Sequence, residues 1–336
     1  MALGIFHNVL NSTTSARTNA AAINPHLNKL YTCLPRRQQS FCLPIPGIRS
    51  IYSVAQGKWR RSIPEKPVGR WSKIKLLTWN INCMTPDGPA RMAMALEHLN
   101  ALYLDRMFIK VPLIICFQEM TSTFLDIIQK TPWIQSHFQL TNTDPSCWSS
   151  NFGTVTLIDR RLEVASDFRV PLKSNYGRDA LFVDIKCENS PVAQSAIVRV
   201  CNTHLESFNH GSRLRPIQLA LISQYLHVES VYAGIVAGDF NATNKNHDSK
   251  LHLENGLKDA YLEYGGKGKG FTWGMHLCKP QQRRYERNRL DKILHTSNIH
   301  VGKPKTFGRG LTIGDPMERR FVSDHLGVAA TLRLKL

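Results

Sequence analysis

Residues 113–117, Leu-Ile-Ile-Cys-Phe, form a continuous apolar run that stops at Gln118-Glu119. Residues 232–237 repeat the pattern and stop at Gly238-Asp239. An apolar run without alternation predicts a strand covered on both faces. Polar groups placed directly after such strands come to a rim that neighbouring strand ends share. Thr78-Trp79-Asn80, Thr203-His204-Leu205-Glu206-Ser207, Arg289-Leu290-Asp291 and Ser323-Asp324-His325 also lie at or beside the ends of strand-like runs. Together these motifs offer carboxylates, carboxamides and imidazoles, the groups that hold a hard divalent cation and direct water.

Further strands are expected at 74–79, 154–158, 180–185, 196–201, 290–294 and 327–334. Amphipathic helices are expected at 91–107, 124–130 and 214–225, the last with Pro216 in its first turn. Strands in both halves with a few helices between them predict an α/β fold, two mixed sheets face to face with helices outside. The domain is expected over 71–336. Residues 1–70 read as a basic, acid-poor arm, since the first acidic residue is Glu65. Such a segment suits a mitochondrial presequence or a disordered basic arm with a nuclear address, so mitochondrion and nucleus both stay open.

A formal net charge of +18 calls for a polyanionic partner, nucleic acid or an anionic membrane surface. No apolar stretch approaches bilayer length, so stable membrane insertion is not expected. The 8 cysteines fall singly with no Cys-x-x-Cys pair, which suggests neither a zinc site nor a disulfide framework and fits a reducing intracellular compartment. The loop at 265–270 is too irregular for a phosphate-binding loop of the GxxxxGK[ST] kind.

Gly238 permits a sharp turn after a buried strand, which aims Asp239 and Asn241 into the cleft. A carboxylate there can orient or deprotonate water, and a carboxamide can donate to a phosphoryl oxygen. An Asx turn closing the strand is the plain alternative. Pairing of Asp291 with His325 would fix the imidazole tautomer and raise its pKa, making His325 a cation for a developing negative charge. Glu119 supplies the anionic oxygen that a hard cation needs, and Asn80 and His204 add neutral donors.

These motifs, in this order, resemble the endonuclease/exonuclease/phosphatase superfamily over the region from Lys73 onward. Within it the pattern is most similar to the branch that cleaves tyrosyl-DNA bonds. The residues behind that likeness are Thr78-Trp79-Asn80-Ile81, Gly177-Arg178, Thr203 to Ser207 with Arg215 and Gln218, Phe271-Thr272-Trp273 and Ser323-Asp324-His325. The resemblance implies a four-layer α/β sandwich and a phosphodiesterase using Mg²⁺, or Mn²⁺ in its place. It implies action on DNA, at single-stranded or 5′ ends, in DNA repair. Glu119 would be the main metal ligand, helped by Asn80 and Asp324. Asp239 would position the attacking water, Asn241 would support phosphoryl oxygens, His204 and His325 would stabilise the charge, and Asp291 would hold His325. Substrate contacts would come from Arg178, Ser207, Arg215 and Trp273, with Arg283, Arg284, Arg287 and Arg289 along a DNA backbone channel.

Three positions depart from that branch: Asn82 where relatives carry Asp, Asn209 where they tend to place Arg, and Phe240 where they have Thr. Two alternatives remain open at this level: a phosphoinositide or sphingomyelin-type phosphodiesterase or phosphatase of the same superfamily, and a non-catalytic nucleic-acid-binding homologue.

Overall fold

The computed structural model describes residues 43–62, 71–103, 111–190, 193–243, 248–266, 270–276, 285–315 and 317–335. Its centre is a pair of mixed sheets. One runs in the order Ile45–Pro46, Val164–Pro171, Asp179–Ser190, Ala193–His204, Ala233–Asp239, Asp291–His295, Lys258–Asp259. The other runs Ile299–Val301, Gly327–Leu334, Lys73–Asn80, Leu113–Met120, Gly153–Asp159, Phe138–Leu140, Ser50–Ser53, Lys58–Arg61, and Lys305–Phe307 also pairs with Gly327–Leu334. The Ala193–His204 and Ala233–Asp239 strands pair in parallel, as do Lys73–Asn80 and Leu113–Met120.

Strand alternation divides the apolar residues among three cores. Ile74, Leu76, Ile114, Val198, Val200, Ile235 and Ile293 point inward and fill the space between the sheets. Leu77, Trp79, Ile115 and Phe117 point outward, against the helices Gly88–Tyr103 and Ser122–Lys130. Cys201, Val236 and Leu294 lie outside the other sheet, packed on the helix Arg215–Leu226. The layers therefore stack helix, sheet, sheet, helix, as the sandwich expectation requires. They also explain the unbroken apolar run at 113–117: both faces of that strand are buried.

The same alternation positions the polar residues. In the 73–80 strand, Ile74 and Leu76 face inward, so Asn80 ends the strand facing inward too. Inward residues Val198 and Val200 place His204 on that side, Ile235 and Ala237 place Asp239, and Ile293 places Asp291. Gly238 is required between them: with φ at 151°, any added Cβ would stand 1.8 Å from the Thr203 carbonyl oxygen.

Two expectations need revision here. Residues 43–62, assigned to an N-terminal arm, add strands to both sheets. Ser50 and Ile51 pair with Leu140 and Gln139, and Arg49 Nε binds Asp167 Oδ1 at 2.9 Å. These strands are two to four residues long, and Ser50–Ser53 lies between Phe138–Leu140 and Lys58–Arg61; pieces so short carry too little binary pattern to be read as part of a core. The first α-helix among the described residues begins at Gly88, earlier than the expected start at 91, and is described to Tyr103. No helix among the described residues is long and apolar enough to cross a membrane.

Candidate active site

Two rows of side chains, one from each sheet, face each other at one rim of the sandwich. Parallel pairing sets His204 abreast of Asp239, and antiparallel pairing sets Asp239 abreast of Asp291. The opposing sheet brings Asn80 and Glu119. Asn80 Nδ2 joins the rows by donating to Glu119 Oε1 at 2.9 Å and to Asp239 Oδ2 at 3.0 Å. Below the rim, Gln118 Nε2 donates to Thr78 Oγ1 and across the gap to Asn202 Oδ1 at 2.8 Å, while Asn202 Nδ2 reaches the Phe117 and Val155 carbonyls. This polar floor locks the two sheets in register beneath the site.

Asp239 is the hub. Its Oδ1 accepts the Asn241 backbone N–H at 2.8 Å. Its Oδ2 lies 3.4 Å from His204 Nε2 and 3.7 Å from His325 Nε2. Both imidazoles thus stop short of a tight hydrogen bond and keep a donor for another oxygen, a looseness common before substrate binds. Burial pushes the Asp239 carboxyl up to about 6; the His325 charge lowers it, and the Asp291 carboxylate raises it.

The two imidazoles are held in opposite charge states. Burial alone would lower the pKa of His325, but Asp291, Asp239 and Asp324 outweigh it and raise it well above the ordinary value. Its Nδ1 binds Asp291 Oδ2 at 2.9 Å. His204 is driven well below the ordinary value by burial, and the positive charges of Arg178 and His325 push the same way. Arg178 Nη1 donates to His204 Nδ1 at 2.9 Å, which leaves the His204 proton on Nε2, aimed at Asp239.

Glu119 reaches the rim through a defect in its strand. By alternation it would point outward with Phe117. The pairing register shifts between Phe117 and Met120, and Glu119 adopts φ 57°, so its carboxylate turns back to Asn80 and to the Cys83 N–H at 2.8 Å. Such a strained bulge at a carboxylate is a device for re-aiming a side chain.

The donor chemistry fits a hard divalent cation. Glu119 and Asp324 are half-buried carboxylates, and burial and the charge of Glu119 push the neighbouring Cys83 thiol up to about 12. Asp239, Asp291 and His325 also offer ligand atoms within 4.8 Å of one another and could hold a metal ion. Every member of that group is buried, whereas Glu119 and Asp324 are half-buried, with their oxygens held by Asn80, the Cys83 N–H, Asn82 and Trp273. Asn80 needs a qualification: its Nδ2 faces the carboxylates while its Oδ1 accepts the Asn82 N–H at 2.8 Å. As oriented, Asn80 positions Glu119 and Asp239 and offers a metal no oxygen.

The remaining expectations divide. Asp324 accepts Asn82 Nδ2 at Oδ1 and Trp273 Nε1 at Oδ2, both at 2.8 Å, which brings Trp273 and Asn82 to the rim. Arg178 is buried in the wall, not laid along an exposed channel, and Nη2 holds Ser207 Oγ at 2.8 Å. The amide of Asn241 is spent on the Leu205 carbonyl and Ser207 Oγ, so it braces Asp239 and the 205–207 turn and has no donor left for phosphoryl oxygens.

Arg215 is a correction: it makes no substrate contact. It is fully buried, paired with Asp248 at 2.8 Å, and holds the Glu206 and Phe208 carbonyls. Five donors in one rigid fork suit a guanidinium to tying a loop from inside. Arg289 is likewise engaged, with both terminal nitrogens on Asp259. Arg283 and Arg284 lie outside the described residues.

Sequence reasoning missed Arg91. Arg91 is fully buried and donates to the carbonyls of Ile81, Asn82, Thr85, Pro86 and Val322, which ties the loop after Asn80 to the segment leading into Asp324. A lone arginine on the apolar side of an amphipathic helix was the available signal. Asn82, at φ 55°, serves as the link between Asn80 and Asp324.

The sequence profile described as the Endonuclease/Exonuclease/phosphatase family matches residues 77–325. Among solved structures, TDP2 from C. elegans is 20% identical with a TM-score of 0.58 over 78% of this chain and 75% of that one. D. rerio TDP2 complexed with single strand DNA product is 20% identical with a TM-score of 0.59 over 78% and 99%. The endonuclease/exonuclease/phosphatase from Bacteroides vulgatus is 17% identical with a TM-score of 0.57 over 79% and 100%. At these identities the likeness concerns the fold. A comparison with curated proteins returns no match. With its profile spanning every motif from Thr78 to His325, the chain belongs to the endonuclease/exonuclease/phosphatase family, and its function is of the phosphodiesterase or nuclease type.

Proposed function

We propose that this protein is a Mg²⁺- or Mn²⁺-dependent phosphodiesterase that works at DNA ends in repair and releases a tyrosyl peptide from a 5′-phosphate. The observation carrying this reading is the convergence on Asp239 Oδ2 of a neutral imidazole, a cationic imidazole and the Asn80 amide. Phosphoryl transfer asks for positioned water and neutralised charge more than for covalent help, and this cluster supplies both.

In this reading Asp239 orients a water and accepts its proton as the water oxygen attacks phosphorus. The bond to the tyrosyl oxygen breaks in line with that attack, giving a 5′-phosphate and a phenolate that takes a proton from solvent, and Asp239 returns its proton to water. His325, held cationic by Asp291, and the Nε2–H of His204 stabilise the charge that gathers on the non-bridging oxygens. A divalent cation held by Glu119 beside Asp324 would supply Lewis-acid neutralisation at those same oxygens.

The rim supports a nucleic-acid substrate with an aromatic leaving group. Half-buried Trp273 stands edge-on to the exposed ring of Tyr285 on the Asp324 side, with ring centroids 6.3 Å apart. On the opposite side the Arg178 guanidinium lies 5.2 Å from the Phe152 ring and 5.7 Å from the Tyr176 ring. Aromatic faces of this kind take bases or phenols by stacking. The net charge of +18 suits a polyanion, and the D. rerio relative of like fold holds a single-stranded DNA product. Delivery to a DNA-bearing compartment, mitochondrion or nucleus, belongs to the same reading and rests on the acid-free N-terminal stretch before Glu65.

The test is an assay of the purified chain on single-stranded oligonucleotides carrying 5′-phosphotyrosine, 3′-phosphotyrosine or an abasic site, and on a phosphoinositide, with and without Mg²⁺. Cleavage confined to the 5′-phosphotyrosyl strand and abolished by chelation is expected. Turnover of the phosphoinositide with all three strands left intact would overturn the proposal.

A further inference from the structure

The Leu-Glu-Ser stretch after His204 carries a carboxylate that the hydrolytic chemistry leaves unused. Glu206 is fully buried, and its contacts run to the loop at 173–178 and to the helix Arg215–Leu226. Oε2 accepts the Ser174 hydroxyl at 2.6 Å and Gln218 Nε2 at 3.3 Å, and Oε1 accepts the Asn175 N–H at 2.9 Å. The Glu206 N–H donates to Gln218 Oε1 at 2.8 Å, so helix and loop are gripped together. Ser174 Oγ accepts the N–H groups of Tyr176 and Arg178, both at 3.0 Å. With its acceptor sites taken, that hydroxyl has its one proton for Glu206.

The loop held in this way delivers Arg178. Its Nη1 donates to His204 Nδ1 at 2.9 Å and its Nη2 to Ser207 Oγ at 2.8 Å. Ser207 follows Glu206 in the chain, so Glu206, Ser174, Arg178 and Ser207 close into a ring of contacts. Two glycines leave room for it. At Gly177, with φ at 66°, a Cβ would stand 2.9 Å from the Ser149 carbonyl oxygen, and at Gly211 one would stand 2.8 Å from Glu206 Cγ. Burial opposes the Arg178 charge, and Glu119, Asp239 and Glu206 act to keep it. A carboxylate that only stapled a loop could bind any part of it. The hold of this one ends at the backbone of the residue that assigns the His204 proton.

We propose that Glu206 is a positioning residue for the hydrolytic centre: through Ser174 it seats Arg178 on His204 Nδ1 and so keeps the His204 proton on Nε2. The effect on turnover rests on the function proposed above; the seating itself does not.

The test uses the full chain with Glu206→Gln, Ser174→Ala and Arg178→Lys. Ser174 and Asn175 each donate to one Glu206 oxygen, so whichever way a glutamine amide turns, donor meets donor. Ser174→Ala leaves the carboxylate in place, removes only the relay at a half-buried position, and decides the matter if Glu206→Gln does not fold. In ¹⁵N-histidine NMR near neutral pH, with His204 assigned through His204→Gln, the parent should show one Nε2–H tautomer with Nδ1 hydrogen-bonded. Glu206→Gln and Ser174→Ala should move the Nδ1 resonance toward that of a free imine nitrogen and bring in the other tautomer, which loosening elsewhere in the fold would not do. On the 5′-phosphotyrosyl strand kcat should fall by about tenfold or more with KM within about twofold of the parent. In the Arg178→Lys background either substitution should cost less than about twofold further, because the seat it supports is already lost. His204 resonances unchanged in the variants, or losses that multiply with that of Arg178→Lys, would overturn the proposal. A parent that leaves the strand intact while its variants show the tautomer change would sink the hydrolytic reading and leave the seating standing.

Discussion

The two rows that meet at the rim are built on different principles. In the row of His204, Asp239 and Asp291 every member is buried, each imidazole has its proton assigned by a neighbour, and the burial itself sets the charges. The row of Glu119, Asn82 and Asp324 is half-buried, and its members are held by hydrogen bonds through loops and a strained bulge. One side is a finished piece of electrostatics; the other is an adjustable grip. That division suits a hydrolase in which the proton and charge chemistry must be rigid while a cation and its waters come and go.

The contrast predicts that losses in the sealed row appear in turnover and losses in the open row in cation dependence. The largest effect is expected for Asp239→Asn: kcat should fall by about 10³-fold or more, measured on the 5′-phosphotyrosyl strand. Both Asp239 oxygens accept hydrogen bonds, from the Asn241 N–H and Asn80 Nδ2, and the amide turns one acceptor into a donor, so the Tm should fall slightly at most while the turnover collapses. Near-parental turnover would remove Asp239 from its central place. His325→Ala should cost about 10²- to 10³-fold in kcat with little change in KM, since its charge is used in the transition state.

Next comes pH. A carboxyl raised to about 6 gives up its proton later as the pH climbs, so kcat/KM should increase through that value and level off near neutrality. One unit below it the rate should be down by about tenfold. His325 stays cationic and His204 neutral across this window, so neither should add a second inflection there. A profile that is flat from pH 5 to 7 would contradict the assignment.

The smallest effect concerns Asn82. Asn82→Asp would set a second carboxylate 2.8 Å from Asp324 Oδ1, a contact tolerable only with a cation between them. In chelator the Tm should drop by a few degrees, at about 2–4 °C per kcal/mol for a domain of this size, and Mg²⁺ should restore it. A Tm indifferent to both substitution and metal would show that the open row is no cation grip.

Much of this site was readable before any coordinates, because strand alternation is a local rule. Once Ile235 and Ala237 face the core, Asp239 must as well, and the same holds for Asn80, His204 and Asp291. Glu119 was found by its position after an apolar run, but the bulge that aims it was invisible, since a register shift is decided by the partner strand. The positive charge misled where it was read as a surface property. Arg91, Arg199 and Arg215 are fully buried and serve internal carbonyls and carboxylates, and only the fold can tell such an arginine from a phosphate contact.

The claim that both rows form one catalytic unit is tested most directly by a double-mutant cycle across the gap, with Glu119→Gln from the open row and His204→Ala from the sealed one. Rates would be read in single turnover on the 5′-phosphotyrosyl strand at saturating Mg²⁺. If the rows act together through Asp239 and Asn80, the double variant should lose far less than the product of the two single losses, a coupling of at least about 1 kcal/mol. Strictly multiplicative losses would mean that the two rows work independently, and the single-centre account would fail.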